Sequence, residues 1–308
     1  DWVWLKQRSG SASSHKLYDA VRGTTKYIAS NNTGAEGTES GVTSFDSDGF
    51  TLGSAGGTNT NSATYVSWNW LGANGTASNS DGSITSTVSA NQTAGFSIVK
   101  YTGTGSNATV GHGLGVAPSM ILFKNLDTAR TWIVYHKSLG ATKNLYLDLT
   151  NAENTGSDLF NDTEPTSTVF SIGTSVGVNE SGDDIIAYCF AEKQGYSKIA
   201  SYTGNGNADG TFVYTGFRPA FILTKNTGSA HSWWLLDNKR DVDNPTAARL
   251  TADSNNAEDS AANSHDFLSN GFKCRANNTA DVNGSGDTMV YMAFAENPFV
   301  TAGTKAAG

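Results

Sequence analysis

Short apolar runs of strand length recur along the chain. Three of them are alike: residues 64–70 read TYVSWNW, residues 184–192 read DIIAYCFAE, and residues 288–296 read TMVYMAFAE. Each run is rich in β-branched and aromatic residues and follows a cluster of Gly, Asn, Ser or Asp, which is typical of a buried strand. The pattern therefore predicts three copies of one strand.

Other segments repeat with a constant offset. The YTG turns begin at Tyr101 and Tyr202, and proline-led strands begin at Pro118 and Pro219, so both offsets are 101 residues (202 − 101 and 219 − 118). Such agreement indicates duplication. VWLKQ near the start matches ILFKN and ILTKN, which predicts three related units: a first unit (residues 1–71), a second unit (96–194) and a third unit (195–308), with a Gly/Ser/Asn-rich linker at 72–95.

Each unit has at least five candidate strands and few amphipathic patterns of helical length. The sequence predicts an all-β fold of tandem β-sandwich-like repeats of short antiparallel strands. Short helices are expected only near residues 152–160 and 254–267. Between the duplicated units we expect Trp132 to correspond to Trp233 and Tyr188 to Met292.

The aromatic turns FDSDGF at 45–50, VFSIG at 169–173 and FLSNGF at 267–272 should also be equivalent. We expect Phe170 and Phe272 to share one layer. Asp48-Gly49 and Asn270-Gly271 predict tight hairpin turns with positive φ angles.

The first unit lacks the opening strand and YTG hairpin of the other two. Because the chain starts at Asp1 inside a unit, without Met or a leader, we expect a removed start or a longer polypeptide. The sheet of the first unit should then have a vacant edge. Candidates to fill it are a strand at residues 84–88, an upstream part of the polypeptide, or a neighbouring subunit.

Composition limits the partners. A net charge of -8 leaves no basic patch, so neither nucleic acid nor an anionic membrane is an expected partner. No apolar run approaches the length of a membrane span. The chain's 34 glycines and 16% charged residues are typical of a globular all-β protein.

Candidate chemistry is sparse. Cys189 and Cys274 are too few for a disulfide framework and are expected to be reduced and buried. The five histidines lack metal-ligand spacing, and Asp46 and Asp48 lie in a turn with no spaced Glu after it. The sequence therefore predicts no catalytic, cofactor-binding or metal-binding residues. A pair of catalytic carboxylates stays open, because glycosidase acids carry no local signature.

Tryptophans are the candidate contact residues. Most aromatic residues lie inside the apolar strands, where core packing explains them. Trp2, Trp4, Trp70 and Trp234 alternate with other apolar residues, and some of them are expected to be exposed. They are the candidates for contact with a glycan or a partner protein.

Several motifs resemble a known repeat domain: FDSDGFTLGS, ATYVSWNW, GHGLGVAPSMILFKN, FRPAFILTKN and VYMAFAENPF. The chain is similar over nearly its whole length to a repeat domain of uncharacterised function found in virion structural proteins of tailed bacteriophages, especially marine ones. The resemblance implies a tail-fibre-like or virion-surface context and carries no catalytic residues.

The favoured hypothesis is a non-enzymatic virion structural protein, a tail fibre, spike or capsid-surface component. Its partners would be other virion proteins, further copies of itself and host-surface glycan. The alternative is a carbohydrate-binding module of a secreted or cell-surface protein. A glycan-cleaving enzyme is the third, least favoured hypothesis.

Overall fold

The chain is almost entirely β-structure. The computed structural model describes residues 1–277 and 279–298, with side chains except at residues 261–263. Strands make up 43% and helices 4%, which confirms the all-β prediction. The helices are four residues long: α1 (Gly56–Asn59), α2 (Ser157–Phe160) and α3 (Val176–Asn179).

Twenty-five strands are described. The first unit contains β1 (Trp2–Gln7), β2 (Lys16–Asp19), β3 (Lys26–Tyr27), β4 (Gly37–Thr38), β5 (Val42–Asp46), β6 (Gly49–Leu52) and β7 (Tyr65–Trp70). The linker contains β8 (Ala77–Asn79) and β9 (Ser86–Asn91). The second unit contains β10 (Phe96–Thr102), β11 (Ala108–Gly111), β12 (Met120–Asn125), β13 (Ile133–His136), β14 (Lys143–Tyr146), β15 (Asn154–Thr155), β16 (Val169–Ile172) and β17 (Asp184–Phe190). The third unit contains β18 (Ser197–Thr203), β19 (Phe212–Tyr214), β20 (Pro219–Asn226), β21 (Trp234–Asp237), β22 (Thr246–Thr251), β23 (Asp259–Leu268), β24 (Gly271–Cys274) and β25 (Thr288–Ala295).

Helix α2 lies in one of the two segments predicted to be helical. The other prediction, a helix near residues 254–267, is wrong because this segment forms β23, which pairs with β22 and β24. Pairing on both sides satisfies the main-chain groups of this segment as a strand.

Three antiparallel sheets carry the apolar strands. Their orders are β2-β1-β7, β15-β14-β13-β12-β17-β10-β9-β8 and β18-β25-β20-β21-β22-β23-β24-β19. In register, Leu122 lies opposite Tyr188 and Leu223 lies opposite Met292. The predicted correspondence of Tyr188 and Met292 is therefore confirmed.

One face of each sheet packs into a single central core. This core takes Trp2 and Trp4 from the first unit, Leu122 from the second and Leu223 from the third. All four side chains are buried, and burying each apolar side chain contributes about 1.5–3 kcal/mol. This core is therefore common to the three units, and each unit has in addition a separate outer cluster of its own.

Contacts between strand residues of different units join the units in a closed ring. Tyr188 Oη donates to Asp19 Oδ2 at 2.7 Å, joining the second unit to the first. Trp68 Nε1 donates to Asp237 Oδ2 at 3.0 Å, joining the first unit to the third. His136 Nε2 lies 3.5 Å from the main-chain oxygen of the third unit's Tyr291.

A second set of contacts follows the same order around the ring. Trp132 Nε1 donates to the Ala29 carbonyl at 2.8 Å, and Trp233 Nε1 donates to the Tyr146 carbonyl at 2.7 Å. His15 takes the position of the tryptophan in the first unit, because it lies four residues before Asp19. Its Nε2 lies 3.0 Å from the main-chain oxygen of Thr251 in the third unit. The predicted equivalence of Trp132 and Trp233 therefore has a physical basis, because both indoles bind the preceding unit of the ring.

The outward face of the second sheet is covered by the separate strand pair β11–β16, and that of the third sheet by the pair β24–β19 at its own far end. Phe170 on β16 packs in one outer cluster, beneath the pair β11–β16. Phe272 on β24 packs in another, beneath the pair β19–β24. The two phenylalanines thus share a layer, as predicted.

The linker extends the second sheet. Strand β9 pairs with β10, with Val88 opposite Val99, and β8 pairs with β9. The predicted extra strand at residues 84–88 overlaps β9. It does not fill the edge of the first unit, because its main chain already pairs with β10 and β8.

Candidate functional site

The four candidate tryptophans are buried. Trp2 and Trp4 are 0% exposed, Trp234 is 2% exposed and Trp70 is 5% exposed. The expectation that some of them are exposed is wrong. Trp2, Trp4 and Trp70 lie where the inner faces of the three sheets meet. Trp234 packs with Ala276 and Val282 in a separate cluster. Any contact with a ligand would have to reach them through a recess.

Three buried lysines occupy equivalent strand positions. Burial lowers the pKa of Lys6, Lys124 and Lys225 to about 8 in each case. Lys6 Nζ donates to the Gln7 carbonyl at 2.7 Å, and Lys124 Nζ donates to the Thr33 carbonyl at 3.1 Å. These ammonium groups therefore hold strand ends and neighbouring loops together.

Several histidines and both cysteines are also buried and have shifted pKa values. Burial lowers the pKa of His15 to about 3, of His136 to about 4 and of His265 to about 3. Cys189 and Cys274 are free and buried, as predicted, and burial raises the pKa of both thiols. A thiolate is disfavoured at such positions, so neither sulfur is an activated nucleophile.

The described residues contain no group of three or more His, Cys, Asp or Glu side chains arranged to hold a metal ion. No helix in this part of the chain is long and apolar enough to cross a membrane.

Strand β7 differs from β17 and β25, its counterparts in the second and third units; we call these three the inner strands. In the second sheet β17 lies between β12 and β10, and in the third sheet β25 lies between β20 and β18. Within the described part of the chain, β7 pairs with β1 alone. One edge of β7 is therefore open in the first unit, at the place where the sequence predicted a vacancy.

The pairing of β7 with β1 determines which main-chain groups face the open edge. Trp2 lies opposite Trp70, and the Arg8 N–H donates to the Thr64 carbonyl at 2.8 Å just beyond the last strand pair. Antiparallel pairs alternate between hydrogen-bonded and non-hydrogen-bonded. Even-numbered β7 residues therefore bond to β1, while the N–H and C=O groups of Tyr65, Ser67 and Asn69 point to the open edge.

A groove of about 270 Å³ runs beside this edge. Its apolar wall comes from Trp68 and Trp70 of β7 and from Phe221 and Phe294 of the third unit. Its polar rim includes Asp237, whose carboxylate accepts the Trp68 indole N–H. The groove therefore joins an apolar pocket to a row of main-chain hydrogen-bonding groups.

A second edge is open in the same unit. Strand β16 pairs with β11 and β24 pairs with β19, but β6 pairs only with β5 among the described residues. Phe50 on β6 is half-buried, whereas Phe170 and Phe272 are 1% and 0% exposed. A recess of about 460 Å³ lies beside Phe45 and Phe50 and reaches Trp70.

A separate polar recess of about 460 Å³ lies in the third unit. The Arg249 guanidinium carbon is 4.3 Å from the centre of the Trp234 ring, and Ser232, Asp253 and Asp281 contribute to the lining. Burial raises the pKa of Asp253, although its carboxylate accepts hydrogen bonds from Ser232 Oγ and the Trp233 N–H. The recess presents charged and hydroxyl groups beside an indole.

Sequence reasoning found the missing strand but not the groove. The strand was detectable because YTG turns at Tyr101 and Tyr202 have no counterpart before β1. Phe221 and Asp237 gave no signal as groove residues, because their contact with Trp68 and Trp70 spans the chain.

Comparisons with known proteins identify a family for the chain. No curated protein and no solved structure matches the chain. Residues 1–298 match the DUF7483 family, which is described as a domain of unknown function. The chain, with its open-edged first unit, therefore belongs to the DUF7483 family.

Proposed function

We propose that this protein is a non-enzymatic structural component of a tailed bacteriophage virion: a tail fibre, spike or capsid-surface component. It attaches to other virion proteins and to further copies of itself, and it contacts host-surface glycan. Its location is the virion. The motifs quoted above support this proposal through their resemblance to virion proteins, and the net charge of -8 favours protein partners over nucleic acid.

The open edge of β7 is the observation that carries the assembly role. Main-chain donors and acceptors on an exposed edge pair readily with a strand from another chain. The apolar groove beside Trp68 and Trp70 adds a pocket that selects side chains on such a strand. A non-enzymatic role is favoured because the lysine, histidine and cysteine side chains with strongly shifted pKa values are buried, and the lysines and histidines make their contacts within the fold.

Particle composition tests the proposal. Phage particles from the source of the chain would be purified on a density gradient, washed in high salt and analysed by quantitative mass spectrometry. We expect the chain at a fixed copy number per particle, with gold-labelled antibody located on the tail or capsid surface. Recovery of the chain only from soluble or host-envelope fractions would contradict the virion role.

The polar recess favours a second candidate, carbohydrate binding. Hydroxyl, carboxylate and guanidinium groups line this recess and suit the polar edges of a sugar. A glycan array would test this, with Arg249→Ala as the variant that removes the cation over the ring. Glycan binding that is unchanged in R249A would place the sugar elsewhere.

A further inference from the structure

The segment formed by β10 and β11 completes both edges of the second unit. Strand β10 pairs with β17 over seven residues, and β11 pairs with β16 over four. Strands β18 and β19 do the same in the third unit. One continuous strand-turn-strand segment therefore covers an inner and an outer edge at once.

The two edges left open in the first unit are the counterparts of the two edges that β10 and β11 cover in the second unit. Strands β7 and β6 each have one partner among the described residues, β1 and β5 respectively. Phe45 and Phe50 are half-buried, while their third-unit counterparts Phe267 and Phe272 are 2% and 0% exposed. The outer layer of the first unit therefore lacks the cover that its counterparts have.

The groove matches the position of one side chain of β10. The Phe96 ring lies 5.8 Å from Trp2 and 5.1 Å from Phe190, between the first and second units. At the next junction of the ring, Phe221 and Trp70 take these two places, with ring centres 5.7 Å apart. Both line the groove.

We infer that the open edges of β7 and β6 accept a two-stranded segment with the apolar pattern of residues 96–111. This inference rests on the assembly role proposed above and names the kind of partner. The residue opposite Trp70 is a large apolar one like Phe96, which enters the groove, and the residue opposite Trp68 is apolar like Ile98.

The main-chain alignment follows from the second unit. There, Ser97, Val99 and Tyr101 face Cys189, Ala187 and Ile185 of β17. The first-unit counterparts of the β17 residues are Asn69, Ser67 and Tyr65, whose main-chain groups point to the open edge. Asn69 is exposed, so the incoming strand can carry polar residues on its outer face.

A peptide probe tests the inference. The peptide GFSIVKYTGTGSNATVGH, residues 95–112 of this chain, would be added at 1 mM to the isotope-labelled full chain, and amide exchange followed by NMR. We expect at least tenfold slower exchange at Tyr65, Ser67 and Asn69. A control peptide with F96D and I98D should leave these rates unchanged. Protection by both peptides, or protection elsewhere only, would overturn the inference.

A substitution on the acceptor provides a second measurement. Ser67→Pro removes an N–H that faces the open edge, so the pairing with β1 loses no hydrogen bond. We expect unchanged exchange at Trp68, which reports an intact β1–β7 pair, and loss of peptide-induced protection at Tyr65 and Asn69. Full peptide protection in S67P would contradict an edge-to-edge pairing.

Isolated two-stranded segments are unstable in water, so the free peptide could bind too weakly to be detected. A fusion of the segment to the chain avoids this problem. Residues 95–118 placed directly before Asp1 reproduce the order β10–β11–β12 and raise the effective concentration to about the millimolar range. We expect the same amides to be protected in the fusion, and unprotected amides would overturn the inference. The location in virions is measured separately, by the composition of purified particles. If the chain binds the peptide but is absent from the particles, the proposed function is rejected and the acceptor site is retained.

Discussion

Acid should destabilise this fold through histidines that are held neutral, and His15 provides the clearest test. Its Nδ1 accepts the Trp4 indole N–H at 2.8 Å, and its Nε2 lies 3.0 Å from the Thr251 carbonyl oxygen. This arrangement requires a neutral ring with its proton on Nε2. A second proton on Nδ1 would face the Trp4 N–H, so protonation costs a hydrogen bond as well as the burial of charge.

The magnitude follows from the difference between folded and unfolded pKa values. The pKa of His15 is lowered from 6.5 to about 3, with burial as the largest cause and the charge of nearby Lys6 as the next. A lowered pKa gives stability that is complete above pH 6.5 and is lost as pH falls towards 3. At pH 5 the unfolded state gains about 1.5 units × 1.36 kcal/mol, or about 2 kcal/mol, that the folded state does not.

Three other buried groups also contribute to the change in unfolding free energy with pH. Burial lowers the pKa of His136 to about 4 and of His265 to about 3, so each adds a loss of about 2 kcal/mol at pH 5. Asp148 opposes them, because burial raises its pKa to about 6 and the folded state takes up this proton first, a gain of about 1 kcal/mol. For these four groups together the expectation is a loss of about 5 kcal/mol between pH 7.5 and pH 5.

Urea unfolding followed by tryptophan fluorescence measures this loss. His15→Gln cannot take up a proton, so its loss between pH 7.5 and pH 5 should be smaller than that of the parent by about 2 kcal/mol. The control Asn31→Ala disturbs the same pocket, where Asn31 accepts the His15 main-chain N–H at 2.9 Å, but should keep the full pH dependence. An unchanged pH dependence in H15Q would refute the reasoning.

Three further predictions concern packing and contacts. Tyr188→Phe removes a bond to a buried carboxylate and should destabilise the chain by about 1–3 kcal/mol, measured by urea unfolding, whereas Tyr214→Phe alters a side chain that is 66% exposed and should have no effect. Gly271→Ala places a Cβ onto a neighbouring strand and should cost at least about 2 kcal/mol, whereas Gly49→Ala meets nothing within 4 Å and should cost about 1 kcal/mol or less. The Cys189 thiol should react with Ellman's reagent at least a hundredfold faster in urea than in buffer, and equal rates would contradict its burial.

The apolar strands and their register were predictable from sequence. Alternating aromatic and β-branched residues define β7, β17 and β25, and the 101-residue offset aligns Trp132 with Trp233. The closure of the units into a ring was not predictable. The bond between Tyr188 and Asp19 joins residues 169 positions apart, and no local pattern marks such a contact.

The errors have similar physical causes. Alternation assigns Trp2 and Trp4 to one face of a strand, but it cannot tell whether that face meets solvent or another sheet. Glycine at the two Asp/Asn-Gly turns was expected to provide positive φ angles. Neither Gly49 nor Gly271 has one. Gly271 is instead required because a Cβ there would overlap the Val213 carbonyl oxygen on β19, a contact that arises only from long-range pairing.

The ring also fixes how many attachments of this kind a chain can make. Every unit is held between two others, so a fourth copy has no free end on which to stack, in contrast to a solenoid. Of the three inner strands β7, β17 and β25, only β7 has an open edge among the described residues. Among the described inner strands, strand addition is therefore limited to one event per molecule, and the incoming strand must run antiparallel to β7, as β10 runs against β17.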